Sequence, residues 1–225
     1  MVKIKNMEIN YKDVLDTDVS FLTDHYDNIG HILNAQKDYR KINVDSVGLD
    51  KLPSIEHYKL LTYLSYKFNG ITIMDAGTHH GLSSVCLAQN KNNKVISYDI
   101  VKVDRFSKLT YQHTPIGDSY PNIEYIQSDI NNVPNDIIKD CKLIFLDIIH
   151  DGKAEVLFSN KLKEMSYAGY ILCDDVGLSG ELRYPLGDWF GGLPWDKYDL
   201  TKVGHFSGSG LLDCVGDVTI IDNII

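Results

Sequence analysis

The sequence lacks any long run of lysine or arginine. Its 225 residues carry 22 basic side chains against 31 acidic ones, a net charge of −9, and no basic stripe could follow a phosphate backbone, so nucleic acid is not an expected partner. It also lacks any apolar stretch near the roughly 18 residues that a membrane span needs. The opening residues, Met1-Val-Lys-Ile-Lys-Asn-Met-Glu-Ile-Asn10, have no apolar centre of the kind a secretory signal carries. A cytoplasmic location without a membrane partner is therefore expected. Cysteine is scarce as well: Cys86, Cys141, Cys173 and Cys214 stand far apart in mostly apolar surroundings. That spacing excludes a C-x-x-C metal site and a dense disulfide framework, leaving reduced, partly buried thiols. No internal repeat, low-complexity tract or interdomain linker is visible.

What is present is an ordinary globular composition, 44% hydrophobic and 24% charged, enough for one domain with a sizeable core. Residues 1–70 read as a helical extension. From Phe21 to Gln36, Leu22, Tyr26, Ile29 and Leu33 recur at steps of three and four. A second helix starts near Ser54, the expected N-cap after Pro53, with Ile55, Tyr58, Leu61, Leu64 and Phe68 on one face and Asn69-Gly70 as its stop. These helices hold too little apolar surface to stand alone, so they preface one structural domain, and they are candidates for a homodimer contact.

From residue 71 to 225 the pattern becomes short, near-continuous, β-branched runs, as in a parallel sheet buried on both faces. Strands are expected at Ile71 to Met74, Val95 to Tyr98, Ile123 to Ile126, Leu143 to Leu146 and Tyr170 to Cys173, with helices from near Leu82 and near Ala154. Asp199 to Phe206 and Leu211 to Ile221 follow, separated only by Ser207-Gly-Ser-Gly210, too short for a parallel crossover. The expected fold is thus Rossmann-like α/β: a seven-stranded, mostly parallel sheet with an antiparallel C-terminal hairpin and helices on both faces.

In such a sheet the ligand lies beyond the carboxyl ends of the strands, where strand order reverses. The first strand runs into Asp75-Ala-Gly-Thr-His-His-Gly-Leu-Ser-Ser84. Gly77 and Gly81 let the backbone approach a ligand, and the next helix points its N–H groups at a carboxylate or a phosphate. Asp75, Gly77, Thr78, His79, Gly81 and Ser83 are candidate cofactor contacts, His79 and His80 through their backbone. Asp99 ends the second strand, where a carboxylate can accept from both hydroxyls of a ribose. A nucleoside-containing ligand follows. The glycine spacing departs from the G-x-G-x-x-G of a dinucleotide site and resembles motif I of class I methyltransferases, D/E-x-G-x-x-x-G, which implies S-adenosylmethionine as cofactor. By that resemblance Asp129, in Ser128-Asp129 after the third strand, contacts the adenine edge.

The fourth strand ends in Asp147-Ile-Ile-His150 and the fifth in Asp174-Asp175. Adjacent parallel strands would bring these carboxylates together, where they repel without a counter-ion, and oxygen ligands suit Mg²⁺. Over roughly Ile55 to Asp175 this set resembles the metal-dependent O-methyltransferases: the catechol and caffeoyl-CoA enzymes and, more closely, the macrolide-sugar enzymes of the macrocin and mycinamicin type. The resemblance implies Asp147, Asp174 and Asp175 as metal ligands, with Asp147 also beside the cofactor. His150, three residues beyond Asp147, takes the place of the catalytic base. Removing the proton makes an alcohol a competent nucleophile for in-line methyl transfer, and a histidine titrating near about 6.5 suits that task.

The expected activity is therefore Mg²⁺-assisted methylation of a small-molecule hydroxyl. Alternatives are a metal-independent methyltransferase on another acceptor, a non-catalytic nucleoside-binding module and a nicotinamide oxidoreductase, the last disfavoured by the glycine spacing. Bland readings stand beside these roles: Asp75 and Asp129 as caps, the aspartate trio as an empty acidic rim, His150 as a solvated loop residue, and His205 as part of a hairpin strand. Between Gly177 and Trp195, Arg183, Tyr184, Trp189, Phe190 and Trp195 could face a substrate or pack on the last strands.

Overall fold

The computed structural model describes residues 7–22, 53–78, 81–101, 120–177, 186–205 and 207–222. Of the helix expected from Phe21 to Gln36, all beyond Leu22 lies outside the described residues. Strand β1 (Met7–Asn10) runs into helix α1 (Tyr11–Leu15), where Asn10 Oδ1 accepts the N–H groups of Lys12 at 3.0 Å and Asp13 at 3.4 Å. Helix α2 (Pro53–Lys67) begins at proline itself, so Ser54 lies inside the first turn instead of capping it. Leu60, Leu61, Leu64 and Phe68 are buried as a helical stripe, yet so are His57, Thr62, Tyr63 and Ser65. The burial is wide because α2 packs against both α1 and α3 (Leu82–Leu87).

All five expected parallel strands form. They are β2 (Thr72–Ala76), β3 (Lys94–Asp99), β4 (Ile123–Gln127), β5 (Cys141–Leu146) and β6 (Tyr170–Cys173). Helices α4 (Asn135–Asp140), α5 (Lys153–Glu164) and α6 (Leu186–Gly191) follow β4, β5 and β6 respectively, and β7 (Asp196–Asp199) and β8 (Gly210–Asp213) complete the sheet. The strand order is β4-β3-β2-β5-β6-β8-β7, with β8 antiparallel to both neighbours. Alternate side chains feed two cores. Ile73, Leu143, Phe145 and Leu172 join α1, α2 and α3 on one face. Met74, Ile144, Leu146 and Ile171 meet Ile138 of α4, Phe158 and Leu162 of α5 and Phe190 of α6 on the other. Cys86 and Cys141 are free thiols in these cores, and burial pushes both up to about 12, which leaves them poor nucleophiles.

The C-terminal strands depart from expectation: the strand expected from Asp199 to Phe206 is displaced upstream and shares only Asp199 with the observed one. The first occupies Asp196–Asp199 and is followed by a 3₁₀ turn at Thr201–Val203. The run from Leu211 to Ile221 breaks at Asp213, whose carboxylate accepts the backbone N–H groups of Val215, Gly216, Asp217 and Val218 at 2.7 to 3.0 Å. Beyond that knot, β9 (Val218–Ile221) leaves the main sheet and pairs in parallel with β1. The stretch expected to be a helical extension thus supplies a strand as well. Asp213→Ala strands four backbone donors at once, and by ordinary hydrogen-bond energies it should cost about 2–3 kcal/mol. Urea unfolding checks this: the midpoint should fall with an unchanged slope, and an unaltered midpoint would refute the role. Among the described residues no helix is long and apolar enough to cross a membrane.

Candidate functional site

Strand order reverses between β2 and β5, so the loops after these strands meet. Gly77 leaves β2 with φ +91°, and its N–H donates to the Tyr98 carbonyl at 2.8 Å. A Cβ on Gly77 would lie 1.6 Å from the Asp147 carbonyl oxygen. Asp147 N–H in turn donates to the Ala76 carbonyl at 2.9 Å. Gly81, at φ +82°, opens α3. Asp75 is fully buried beneath the loop, where it accepts from Ser83 Oγ at 3.0 Å, from Ser84 Oγ, and from Ser97 Oγ at 3.4 Å. Thr78 Oγ1 joins this network 2.7 Å from Ser84 Oγ. Burial raises the Asp75 carboxyl to about 6, against the opposing pull of the Ser84, Ser83 and Thr78 hydroxyls. Asp75, Thr78 and Ser83 therefore brace the loop from below. His79 and His80 lie outside the described residues.

A cleft of about 610 Å³ opens above the loop, lined by Gly77 with the carboxylate-bearing Asp99, Asp129 and Asp147 and with Tyr98, Ile100, Ile148 and Ile149. Its size is that of a small-molecule site. Asp99 Oδ1 accepts the Val101 N–H at 2.7 Å. Asp129 Oδ1 accepts the Asn131 N–H at 2.8 Å, so this residue both caps the 3₁₀ turn Ile130–Asn132 and faces the cleft. Four expected contacts, from the ends of β2, β3, β4 and β5, are thereby brought together.

Beside the cleft lies a cluster of carboxylates and imidazoles. His150 Nε2 stands 3.0 Å from Asp147 Oδ1, and its Nδ1 3.4 Å from Asp175 Oδ2. His205 Nδ1 is 3.3 Å from Asp174 Oδ2 and 3.2 Å from Asp175 Oδ1, with Ser207 Oγ bonded to both His205 and Asp175. His57, from α2, places Nδ1 3.8 Å from Asp174 Oδ1. The three aspartates are not one bare oxygen trio: Asp147 contacts the others' neighbourhood through His150. His205 is not on a strand but in the loop before β8. It and His57 are the site residues that the sequence pattern missed. Trp189, Phe190 and Trp195 pack in the second core, Trp189 Nε1 donating to Ser159 Oγ at 3.2 Å. Arg183 and Tyr184 lie outside the described residues.

Two residues of the cluster, His150 at φ +57° and Asp175 at φ +55°, hold left-handed backbone conformations that side chains disfavour. His150 is pinned there by its N–H donating to Glu155 Oε1 at 3.0 Å. Burial alone would lower the His150 imidazole, but Asp147, then Asp175 and Asp174, outweigh it and lift it to about 9. For His205, Asp174 and Asp175 likewise overcome burial and lift it to about 10. His57 goes the other way, lowered by burial more than Asp174 raises it. Burial raises Asp147, while His205 and His57 hold Asp174 below the usual carboxylate range despite its burial.

No protein-family model matches the sequence, and no curated protein does. Solved structures do. A Nostoc punctiforme protein provisionally named an O-methyltransferase superposes with a TM-score of 0.52 at 16% identity, over 69% of this chain and 55% of its own. The Podospora anserina methyltransferase PaMTH1, solved with SAH bound, gives 0.52 at 15% identity over 80% of this chain and 86% of that one. The fold is that of the class I methyltransferases.

On this methyltransferase fold the donor atoms of Asp174, Asp175 and His205 all lie within 4.8 Å of one another. Asp174 Oδ1 is buried with no hydrogen-bond partner. An orphaned carboxylate oxygen beside a second carboxylate and an imidazole fits a divalent cation, whose charge would satisfy it.

Proposed function

We propose that this chain transfers a methyl group from S-adenosylmethionine to a hydroxyl of a small molecule, with His150 as general base. The observation that carries the reading is the junction of the cleft with the cluster: Asp147 lines the cleft and at the same time contacts the His150 imidazole. The resemblance of fold to proteins that bind SAH or are provisionally named O-methyltransferases supports it.

S-adenosylmethionine supplies an electrophilic methyl carbon and leaves as S-adenosylhomocysteine. The chain's residues do the rest. Gly77 and Gly81 bring backbone close to the cofactor, His79 of the same sequence motif is a further contact, and Asp75, Thr78 and Ser83 hold that loop in shape. Asp99 accepts from the ribose hydroxyls, and Asp129 meets the base. As the acceptor oxygen bonds to the methyl carbon and the carbon–sulfur bond breaks, the hydroxyl proton passes to His150. Asp147, held at Nε2, stabilises the imidazolium, which leaves Nδ1, with its longer contact, to take the proton. The bond from the His150 N–H to Glu155 keeps the base in place, and orientation of this kind lowers a barrier by several kcal/mol. Asp174, Asp175 and His205 would hold a divalent cation, with Asp147 adjoining, and that ion would acidify a bound hydroxyl. The sequence pattern suggests Mg²⁺ for this position.

A second reading, methyl transfer without a metal, is favoured by one feature: the imidazoles of His150 and His205 already offset the carboxylates. Loss of turnover with a chelator separates the two.

The central test is calorimetric titration of S-adenosylmethionine into the wild type and into Asp99→Ala. Micromolar binding, weakened at least about tenfold by loss of hydrogen bonds to a charged acceptor, is expected. Absence of binding to the wild type would sink the proposal.

A further inference from the structure

We infer that the cation site is built for a nitrogen-binding divalent metal of the Zn²⁺ or Co²⁺ kind rather than Mg²⁺, with His57 of α2 and His205 as nitrogen ligands beside Asp174 and Asp175. The inference rests on the cation-holding part of the function proposed above and deepens it by naming the ion class and a fourth ligand.

The donor set is the first argument. Mg²⁺ demands oxygen and retains its waters, whereas an imidazole pair with carboxylates suits the later first-row ions. Here one imidazole nitrogen, His205 Nδ1, already lies 3.3 and 3.2 Å from oxygens of Asp174 and Asp175. Ligand atoms held about 2.1 Å from one ion are separated by about 3.0 Å at an octahedral edge and about 3.4 Å at a tetrahedral one. These two separations of His205 fall within that interval.

The second argument is His57. The residue is 8% exposed, and its Nδ1 has no hydrogen-bond partner. Asp174 Oδ1, itself buried and unpartnered, lies 3.8 Å away. Two orphaned polar atoms facing each other at that distance are too far apart to satisfy one another, and burying both is costly. A closure of a few tenths of an ångström would bring both to one ion. The ring is steered there by Phe145 at 5.4 Å and by an edge contact with His205 at 5.5 Å. An ion so held would tie α2 to the ends of β6 and β8, and binding should therefore raise the unfolding temperature.

The experiment strips the full chain of metal and titrates Co²⁺, following its visible d–d absorption, with Mg²⁺ as competitor. S-adenosylmethionine binding is measured on the same preparations. Co²⁺ should bind at least about tenfold more tightly than Mg²⁺. His57→Ala and His205→Ala should each weaken it by about tenfold to a hundredfold and alter the spectrum. His57→Gln, which keeps size and polarity, guards against a folding defect, and the wild-type comparison of the two ions needs no variant. Equal affinity for Mg²⁺, a wild-type spectrum and affinity in His57→Gln, or no ion bound at all would each overturn the inference. If S-adenosylmethionine still binds when no ion does, the metal site alone has failed. If neither binds, the methyltransferase reading has failed with it.

Discussion

Gly77→Ala is expected to abolish S-adenosylmethionine binding and to lower stability by about 3–5 kcal/mol, near the upper end for a single substitution. Two effects contribute, and they can be separated. A left-handed φ of +91° disfavours any side chain, which by itself costs about 1–2 kcal/mol. The larger effect is contact: the added Cβ would sit 1.6 Å from the carbonyl oxygen of Asp147, a backbone atom that has no rotamer to escape into. Asp147 is itself tied to Ala76, so relief requires parting β2 from β5 at the mouth of the cleft. Gly70→Ala is the control. Its φ is +71°, yet a Cβ there meets nothing within 4 Å, so only the conformational cost applies. Urea unfolding of both variants, with calorimetry on Gly77→Ala, decides the matter. Equal destabilisation of the two would show that the close approach of the loops is not a constraint.

Legibility in the sequence followed the range of the forces involved. The strand Tyr170–Cys173 agrees with expectation at both ends because a run buried on both faces announces itself locally. β1 does not: Met7-Glu-Ile-Asn10 is a strand only because β9 pairs with it, and β9 is free to do so only because Asp213 ends β8. Neither cause lies near residue 7 in sequence. The candidate site divides in the same way. Asp99, Asp129, Asp147, Asp174 and Asp175 were readable because each follows a strand at its carboxyl end. His205 was within reach of the same logic. An antiparallel β8 must begin where β6 ends, and Cys173 does pair with Gly210, so the loop before β8 falls beside Asp174. His57 carried no such signal, since only the packing of α2 across the sheet delivers it. The motif also left the role of Asp75 open. A glycine loop fixes where the acid stands but not which way it points, and the hydroxyls of Ser83, Ser84 and Ser97 drew it beneath the loop.

His150→Gln is expected to reduce kcat for methyl transfer by about 10²–10⁴, the range for losing a positioned base, while leaving S-adenosylmethionine affinity near that of the wild type. The pH profile tells a base from a merely structural residue. Only the neutral imidazole can accept a proton, and Asp147, Asp175 and Asp174 favour the charged form strongly enough to outweigh burial and lift the group to about 9. With no cation on Asp174 and Asp175, turnover should therefore climb with pH and level off only above about 9. Removing the nearest of these partners, in Asp147→Asn, lets the imidazole fall part of the way back towards its ordinary value. The rising limb should move to lower pH by the same interval. A proton NMR titration of the His150 ring in both proteins reads that shift without any acceptor present, and the kinetic limb must move with it. A ring that titrates near its ordinary value in the wild type would remove the electrostatic argument. A limb that stays in place when Asp147 is neutralised, or that survives in His150→Gln, would assign the proton to another group.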